Sequence, residues 1–216
     1  MRLLLSLAFV ATLFSAHGQE LPRVLIIGDS ISIGYTPYVE TMLAGKAVVQ
    51  HNPGNAGTSG NGVFLMEAWL DPKGGKWDLI HFNFGLHDLK RMSDGKQQVD
   101  REQYERYLRL FIERLKQTGA KLVFATTTPV PEGKVNPPRV PADVPAYNEV
   151  ALRVMKDAGI PIDDLYSLAV TNQAEWQQPV NVHFTPDGYQ GLAAQVSREI
   201  LEQLPLAKSV SRYDRP

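Results

Sequence analysis

Short apolar runs alternate with segments of helical periodicity along most of the chain, and this order constrains the fold more than any other feature. Five runs have the length and composition of buried strands: Val24–Ile27, Ala47–Gln50, Trp77–Phe84, Lys121–Thr126 and Ile160–Leu165. Strands that alternate with helices predict a parallel sheet with helices on both faces. Their uninterrupted apolar character fits strands buried on both sides. We therefore predict an α/β fold.

Five segments are predicted to be helical: Pro37–Ala44, Gly62–Leu70, Asp100–Thr118, Val144–Ala158 and Pro186–Leu204. The third has the clearest pattern, because large apolar side chains recur every three or four residues and Gly119 follows as a natural C-cap. The proline-rich segment 129–145 is expected to be a loop that forms one wall of a cleft.

The first 18 residues are typical of a secretory signal peptide. Arg2 precedes an apolar run from Leu3 to Phe14, and Ala16 and Gly18 fit the positions before a cleavage site. The alternatives are a buried helix or a membrane anchor, but the run is short for a membrane span. Cleavage would leave residues 19–216 as one domain, which we expect to be secreted or periplasmic and without a membrane anchor.

Charge and cysteine content exclude several classes of function. The net charge of the 216 residues is −1 and there is no strongly basic run, so a nucleic-acid partner is not expected. The chain has no cysteine, which excludes disulfides, thiolate nucleophiles and cysteine-based zinc sites.

Chemistry in such a fold is expected in the loops that follow the strands. The first loop, GDSISIGY, places Ser30 between a strand and a helix, as either a simple helix cap or a nucleophile. The second, HNPGNAGTSG, is rich in glycine but lacks the lysine of a phosphate-binding loop. Its alternative role is to point a backbone N–H, best that of Gly57, at an oxyanion.

Two histidines occupy the remaining strand-end segments. His87 and Asp88 follow the third predicted strand in FNFGLHDLK, and His183 precedes the last predicted helix in QPVNVHFTPDGY. A single histidine is more often a structural residue than a catalytic one, so neither position alone establishes a function.

Together, these four blocks resemble those of the SGNH hydrolases, the family of GDSL esterases and lipases. GDSIS resembles the nucleophile block of that family, and Asn52–Thr58 resembles its second block. Gly85–Asp88 stands where the family has Gly-x-Asn-Asp, and Val180–His183 stands where it has Asp-x-x-His. The resemblance implies a flavodoxin-like, three-layer α/β/α fold with a parallel five-stranded sheet.

The resemblance also implies a chemistry. Ser30 would be the nucleophile and His183 its base, and the N–H groups of Ser30 and Gly57 would bind the oxyanion. Asp88 stands as in the family, and Asp29 is expected to shape the nucleophile turn. No metal or cofactor is implied.

The sequence departs from the family at two positions. His87 replaces the asparagine that donates to the oxyanion, and an imidazole N–H can supply the same hydrogen bond. Asn83 is a weaker substitute. Val180 replaces the aspartate that orients the histidine. The groups that could orient His183 instead are the carbonyl of Val180 or a near neighbour, the carboxylates of Asp164, Glu175 and Asp187, and the amide of Asn181.

Because the nucleophile and the base both remain, we expect a working esterase. The short chain and the signal peptide favour a small acyl group, in particular acetyl, on a carbohydrate. Two alternatives stay open: a catalytically impaired SGNH-fold binding protein, and a lysophospholipase or thioesterase.

Overall fold

The computed structural model, which describes residues 20–70 and 76–204, contains one sheet. Its strands are β1 (Arg23–Ile27), β2 (Val48–His51), β3 (Leu79–Phe82), β4 (Lys121–Ala125) and β5 (Ile162–Asp163). All neighbours pair in parallel, in the order β2-β1-β3-β4-β5. This is the flavodoxin-like order, so the predicted fold class is confirmed. The predicted signal peptide lies outside the described residues.

The helices of the described ranges are α1 (Ser30–Met42), α2 (Ser59–Leu70), α3 (Arg101–Lys116), α4 (Asp143–Ala158), α5 (Leu165–Thr171), α6 (Gln173–Trp176) and α7 (Pro186–Gln203). Helix α1 packs against α7, while α3 packs between α2 and α4, so the sheet has a helical layer on each face. None of these helices is long and apolar enough to cross a membrane.

The central strands are buried on both faces, as their composition predicts. Ile26, Ile27, Phe82 and Phe124 are fully enclosed, and helix α3 adds Phe111, whose ring lies 5.7 Å from that of Phe82. Burial of such side chains provides most of the free energy that holds the layers together.

The core also holds a buried, hydrogen-bonded histidine and aspartate. His81 on β3 lies 3.0 Å from the Asp163 carboxylate on β5, and both side chains are completely inaccessible. This histidine is therefore structural.

The structure corrects two boundaries. Helix α1 begins at Ser30 rather than Pro37, because the Asp29 side chain caps it by accepting a hydrogen bond from the Ile31 N–H. Strand β5 is shorter than the predicted Ile160–Leu165. It ends at Asp163, because the next residue, Asp164, is the N-cap of α5. Helices α5 and α6 were not predicted.

The topology brings the predicted site together. Ser30 follows β1 and His87 follows β3, and these neighbouring strands lie where the order of the sheet reverses. Ligands of open α/β sheets bind beside the carboxyl ends of the strands at such a switch point.

Candidate active site

Ser30 is the first residue of α1, immediately after its cap. The side chain of Asp29 is buried and used by the cap, so it shapes the turn, as expected. No acceptor for the Ser30 N–H is found among the residues that the structure describes. A half-buried hydroxyl at a helix N-terminus, beside an unused N–H, lies where the helix dipole favours negative charge.

His183 reaches Ser30 from the other end of the chain. Its Nε2 lies 2.9 Å from the Ser30 Oγ. The segment is held by a short antiparallel bridge between Gln177 and Phe184, and by Thr185, which caps α7. The structure thus brings together the two residues that the sequence predicts to be nucleophile and base.

Asn181 orients the imidazole. Its Oδ1 lies 2.8 Å from His183 Nδ1 and also accepts a hydrogen bond from the His183 N–H at 3.1 Å. Because a main-chain N–H can only donate, the atom facing His183 is the amide oxygen. His183 Nδ1 therefore carries a proton, and Nε2 is free to accept the Ser30 proton.

A second amide fixes Asn181. Its Nδ2 donates to Gln178 Oε1 at 3.2 Å, and Gln178 Nε2 donates to the Phe184 carbonyl at 3.0 Å. The Phe184 carbonyl can only accept a hydrogen bond, so the side-chain amides of Gln178 and Asn181 each have one possible orientation. Sequence reasoning named Asn181 among several candidates, and the structure selects it.

None of the other candidate orienters is hydrogen-bonded to the His183 ring in the part of the chain that the structure describes. Val180 has a left-handed backbone (φ 52°), and the Val180 side chain fills the space beside Gly133. Such a backbone is rare for a β-branched residue. Asp164 caps α5, while Glu175 and Asp187 lie in the first turns of α6 and α7. No carboxylate of the described residues is hydrogen-bonded to His183.

The His87 ring is half-buried and makes no hydrogen bond within the described ranges. Burial lowers its pKa, and the positive charges of Arg139 and Lys90 act in the same direction, against the attraction of Asp29. At neutral pH the ring is therefore uncharged and offers one N–H. Asn83 is not a free donor, because its amide binds the Ala125 carbonyl at 2.7 Å.

The Gly57 N–H is occupied in this conformation. It donates to the Asn55 side chain at 2.8 Å, and Asn55 is exposed. Gly57 has φ 70°, a left-handed backbone that favours glycine.

Asp88 points away from the cleft and anchors α2. It is fully buried and accepts hydrogen bonds from both the Ser59 N–H and the Ser59 hydroxyl. Desolvation raises its pKa to about 7, although the bonds from Ser59 oppose the shift. Its role is to hold the His87 loop against the start of α2.

The structure contains a second Ser–His pair that the sequence did not indicate. Ser32 Oγ lies 2.7 Å from His51 Nε2 and 2.8 Å from the Asp29 carbonyl. His51 Nδ1 lies 2.7 Å from the Asn52 carbonyl. Ser32 is only 2% exposed, so substrate cannot reach it.

The proline-rich loop contacts both sides of the site, as predicted for a cleft wall. Gln177, beside the His183 segment, donates to the Pro129 carbonyl at 2.7 Å. Arg139 donates to the Leu86 carbonyl at 2.8 Å, directly before His87.

Comparison with solved structures supports the fold. A lipase/acylhydrolase from Enterococcus faecalis matches with a TM-score of 0.73 at 20% identity, over 88% of this chain and 100% of that chain. An acetyl xylan esterase matches with a TM-score of 0.67 at 16% identity, over 82% and 99%. A GDSL-like lipase from Bacteroides thetaiotaomicron also gives 0.67, at 17% identity over 84% and 89%.

No curated protein sequence gives a significant match. The model of the GDSL-like lipase/acylhydrolase family matches residues 26–190, which include all four blocks of the site. The arrangement of strands, nucleophile and histidine agrees with that match, and the chain belongs to the GDSL-like lipase/acylhydrolase family.

Proposed function

We propose that this protein is an exported serine esterase that removes short acyl groups, acetyl foremost, from carbohydrates. The observation that carries the proposal is the hydrogen-bonded chain from Ser30 Oγ through His183 to Asn181, at 2.9 and 2.8 Å. It has the order of nucleophile, base and orienter that acyl transfer requires, with a neutral amide in place of the usual carboxylate.

In the first half of the reaction, Ser30 Oγ attacks the ester carbonyl while its proton passes to His183 Nε2. The imidazolium so formed stays in place because Nδ1–H is held by Asn181. His183 then gives its proton to the departing alcohol, which leaves an acyl group on Ser30. In the second half, His183 takes a proton from water as the water oxygen attacks the acyl carbonyl, and it then returns that proton to Ser30 Oγ as the acid leaves.

The developing oxyanion would be bound by donors from three strand-end segments. The Ser30 N–H is unused and lies at the N-terminus of α1, and the neutral His87 ring supplies a second N–H from the loop after β3. The Gly57 N–H becomes the third donor once the exposed Asn55 side chain turns away. The proposed steps use no metal or cofactor.

The short chain favours a short acyl group, and none of the following cavities of the described residues is lined by Ser30 or His183. Cavities of about 300 to 600 Å³ are lined by residues of other surfaces, such as Met42, Trp69 and Leu152. The cavity beside Asp29 and Leu86 has a volume of about 10 Å³, which is room for one water molecule. A long acyl chain would need a much larger apolar channel.

Two observations favour a carbohydrate as the carrier of the acyl group. The predicted signal peptide would bring the enzyme to extracellular or periplasmic polysaccharides, and one protein of the same fold is an acetyl xylan esterase. Aromatic rings that could stack on a sugar do not add to this case, because Tyr35 and Trp69 are buried and Tyr38 and Trp176 pack against the core.

Hydrolysis of 4-nitrophenyl esters from acetate to decanoate tests the proposal. We expect the wild type to prefer acetate and the Ser30→Ala variant to be inactive on every ester. Rising activity with chain length would instead support a lysophospholipase or thioesterase. Equal, negligible release by both proteins would support a binding protein. Deacetylation of acetylated xylan and of acetylated pectin would then test the carbohydrate.

A further inference from the structure

Arg139 is the one arginine in the described ranges that is buried, at 8% exposure, and it has no acidic partner. Other arginines of the structure bind carboxylates at the surface: Arg91 with Asp143, Arg109 with Glu105, Arg114 with Glu67 and Arg153 with Glu105. A buried cation without a partner costs free energy, so its retention needs a reason.

The guanidinium is held firmly in one orientation. Nε donates to the Leu86 carbonyl at 2.8 Å, and Nη1 donates to the Pro137 carbonyl at 3.1 Å. Nη2 makes no hydrogen bond to any described residue. Two side-chain atoms in the described residues are fully buried without a hydrogen-bond partner, Trp77 Nε1 and His81 Nδ1. Because Nη2 is not one of them, it retains some access to solvent.

Arg139 lies at the catalytic cleft. Leu86, to which it is bonded, directly precedes His87, and the charge of Arg139 contributes to the lowered pKa of the His87 ring. Asp29, next to the nucleophile, is the acidic residue whose charge acts on Arg139. Arg139 therefore lies on the side of the site that carries His87, with Nη2 free of protein partners among the described residues.

We propose that Arg139 binds a carboxylate of the substrate, so that the preferred substrates are acyl esters of acidic sugars such as uronic acids. This inference rests on the proposed carbohydrate-esterase function and specifies its substrate. A planar carboxylate would accept from Nη2 and supply a directly bonded counter-charge, which no described residue gives Arg139. A role confined to bracing the proline-rich loop would use the two bonds to carbonyls and leave the charge without a function.

The test compares two acetylated sugars that differ only in charge: an acetylated methyl glucuronoside and its C6 primary amide. We expect the wild type to hydrolyse the acid about tenfold to a hundredfold more efficiently in kcat/KM, as for a hydrogen bond to a charged group. Arg139→Gln should lower the ratio of kcat/KM for the acid to kcat/KM for the amide to about one, whatever its rate on the amide alone. Arg139→Lys, which keeps the charge, should retain part of the preference.

Lys90→Gln provides the matched control. Lys90 also carries a positive charge that acts on His87, but its side chain makes no hydrogen bond to any described residue. If a general positive potential caused the preference, Lys90→Gln would reduce it as much as Arg139→Gln, and the proposal would be wrong. It is equally wrong if the wild type does not distinguish acid from amide, or if Arg139→Gln slows both substrates alike.

A binding measurement separates this inference from the proposed function. Calorimetric titration with methyl glucuronoside, which has no ester, should show binding to the wild type and to Ser30→Ala but not to Arg139→Gln. Such binding without hydrolysis of any ester would contradict the esterase function alone. Hydrolysis of 4-nitrophenyl acetate that depends on Ser30, without this binding, would overturn the carboxylate site alone.

Discussion

Helix α1 carries two serines, two positions apart, and each is hydrogen-bonded to a histidine. Ser30 Oγ meets His183 Nε2 at 2.9 Å, and Ser32 Oγ meets His51 Nε2 at 2.7 Å. In both pairs an asparagine oxygen accepts from Nδ1, the side-chain oxygen of Asn181 in one and the main-chain oxygen of Asn52 in the other. By hydrogen bonding alone, the pairs are nearly equivalent.

The surroundings of the two hydroxyls differ. Ser32 is enclosed, and its single proton is shared between His51 and the Asp29 carbonyl, which lies 2.8 Å away. Burial also lowers the pKa of His51, which makes it a poor base. Ser30 is half-buried at the helix N-terminus, and its N–H has no acceptor among the described residues. The His87 ring, in the loop after the neighbouring strand β3, makes no hydrogen bond to them either.

The comparison teaches that a Ser–His hydrogen bond does not define a catalytic site. The Ser32 pair braces the turn that presents Ser30. Asn52, which directly follows His51, holds the same turn, because its Oδ1 accepts a hydrogen bond from the Gly28 N–H at 2.9 Å. Access to substrate and donors for the oxyanion distinguish the Ser30 pair, and each of the following experiments removes one of these differences.

The largest effect is expected from the serines themselves. Ser30→Ala should lower kcat by about 10⁴-fold or more, as removal of a catalytic nucleophile does. Ser32→Ala should change kcat by less than about tenfold and lower the free energy of unfolding by about 1–3 kcal/mol, because it loses a buried hydrogen bond. Ester hydrolysis and urea unfolding measure the two effects.

Covalent labelling sharpens this contrast. Diethyl 4-nitrophenyl phosphate should modify Ser30 and leave Ser32 unmodified, as read by mass spectrometry of the peptides. Label on Ser32 in the folded protein would show that burial does not separate the pairs.

The next largest effect concerns the oxyanion donors. His87→Ala should lower kcat by about 10²–10³-fold, as loss of one oxyanion donor does. His87→Asn should retain much of the rate, because its amide restores an N–H at the same place. Full activity of His87→Ala would show that the ring does not donate to the transition state.

Sequence reasoning reached the parts of this site that depend on local order along the chain. Ser30 and His183 follow from the strand ends and their blocks, and the sheet follows from the alternation of apolar runs. The start of α1 was missed because Gly34 and Pro37 interrupt its periodicity. The pair of Ser32 with His51 depends on the register of β1 against β2, which no local pattern encodes.

The orienter lies between these cases. Asn181 was named beside four other groups, and the choice depends on the left-handed turn at Val180, which a valine does not predict. The hydrogen bond from the Gly57 N–H to the Asn55 side chain likewise depends on how that side chain is oriented, which the sequence does not show.

Asn181 itself should have a smaller effect than the oxyanion donors. Asn181→Ala should lower kcat by about tenfold to a hundredfold, since one hydrogen bond to the imidazole is lost. Asn181→Asp should move the acid limb of the pH–rate profile to higher pH, because a carboxylate stabilises the imidazolium. A profile that does not move in Asn181→Asp would mean that residue 181 does not contact His183 during the reaction.

The smallest effect on rate, and a distinct effect on stability, is expected at Asp88, which anchors the His87 loop beside Ser30. Its pKa is about 7 in the folded protein, above the value of about 3.9 expected in an unfolded chain. Between these pH values the folded protein holds a proton that the unfolded chain releases. Stability from this group is therefore complete below about pH 4 and decreases as the pH rises to about 7.

Asp88→Asn should flatten this dependence, because the amide mimics the protonated acid and still accepts from Ser59. Urea unfolding at pH 5, 6, 7 and 8 should show the wild type losing up to about 1.4 kcal/mol per pH unit below pH 7, relative to the variant. Asp187→Asn, at an exposed carboxylate on α7, should keep the wild-type slope. Parallel curves for wild type and Asp88→Asn would mean that Asp88 is ionised throughout. The loop of the Ser30 pair would then be anchored by a buried charge, whereas the Ser32 pair is held by neutral hydrogen bonds.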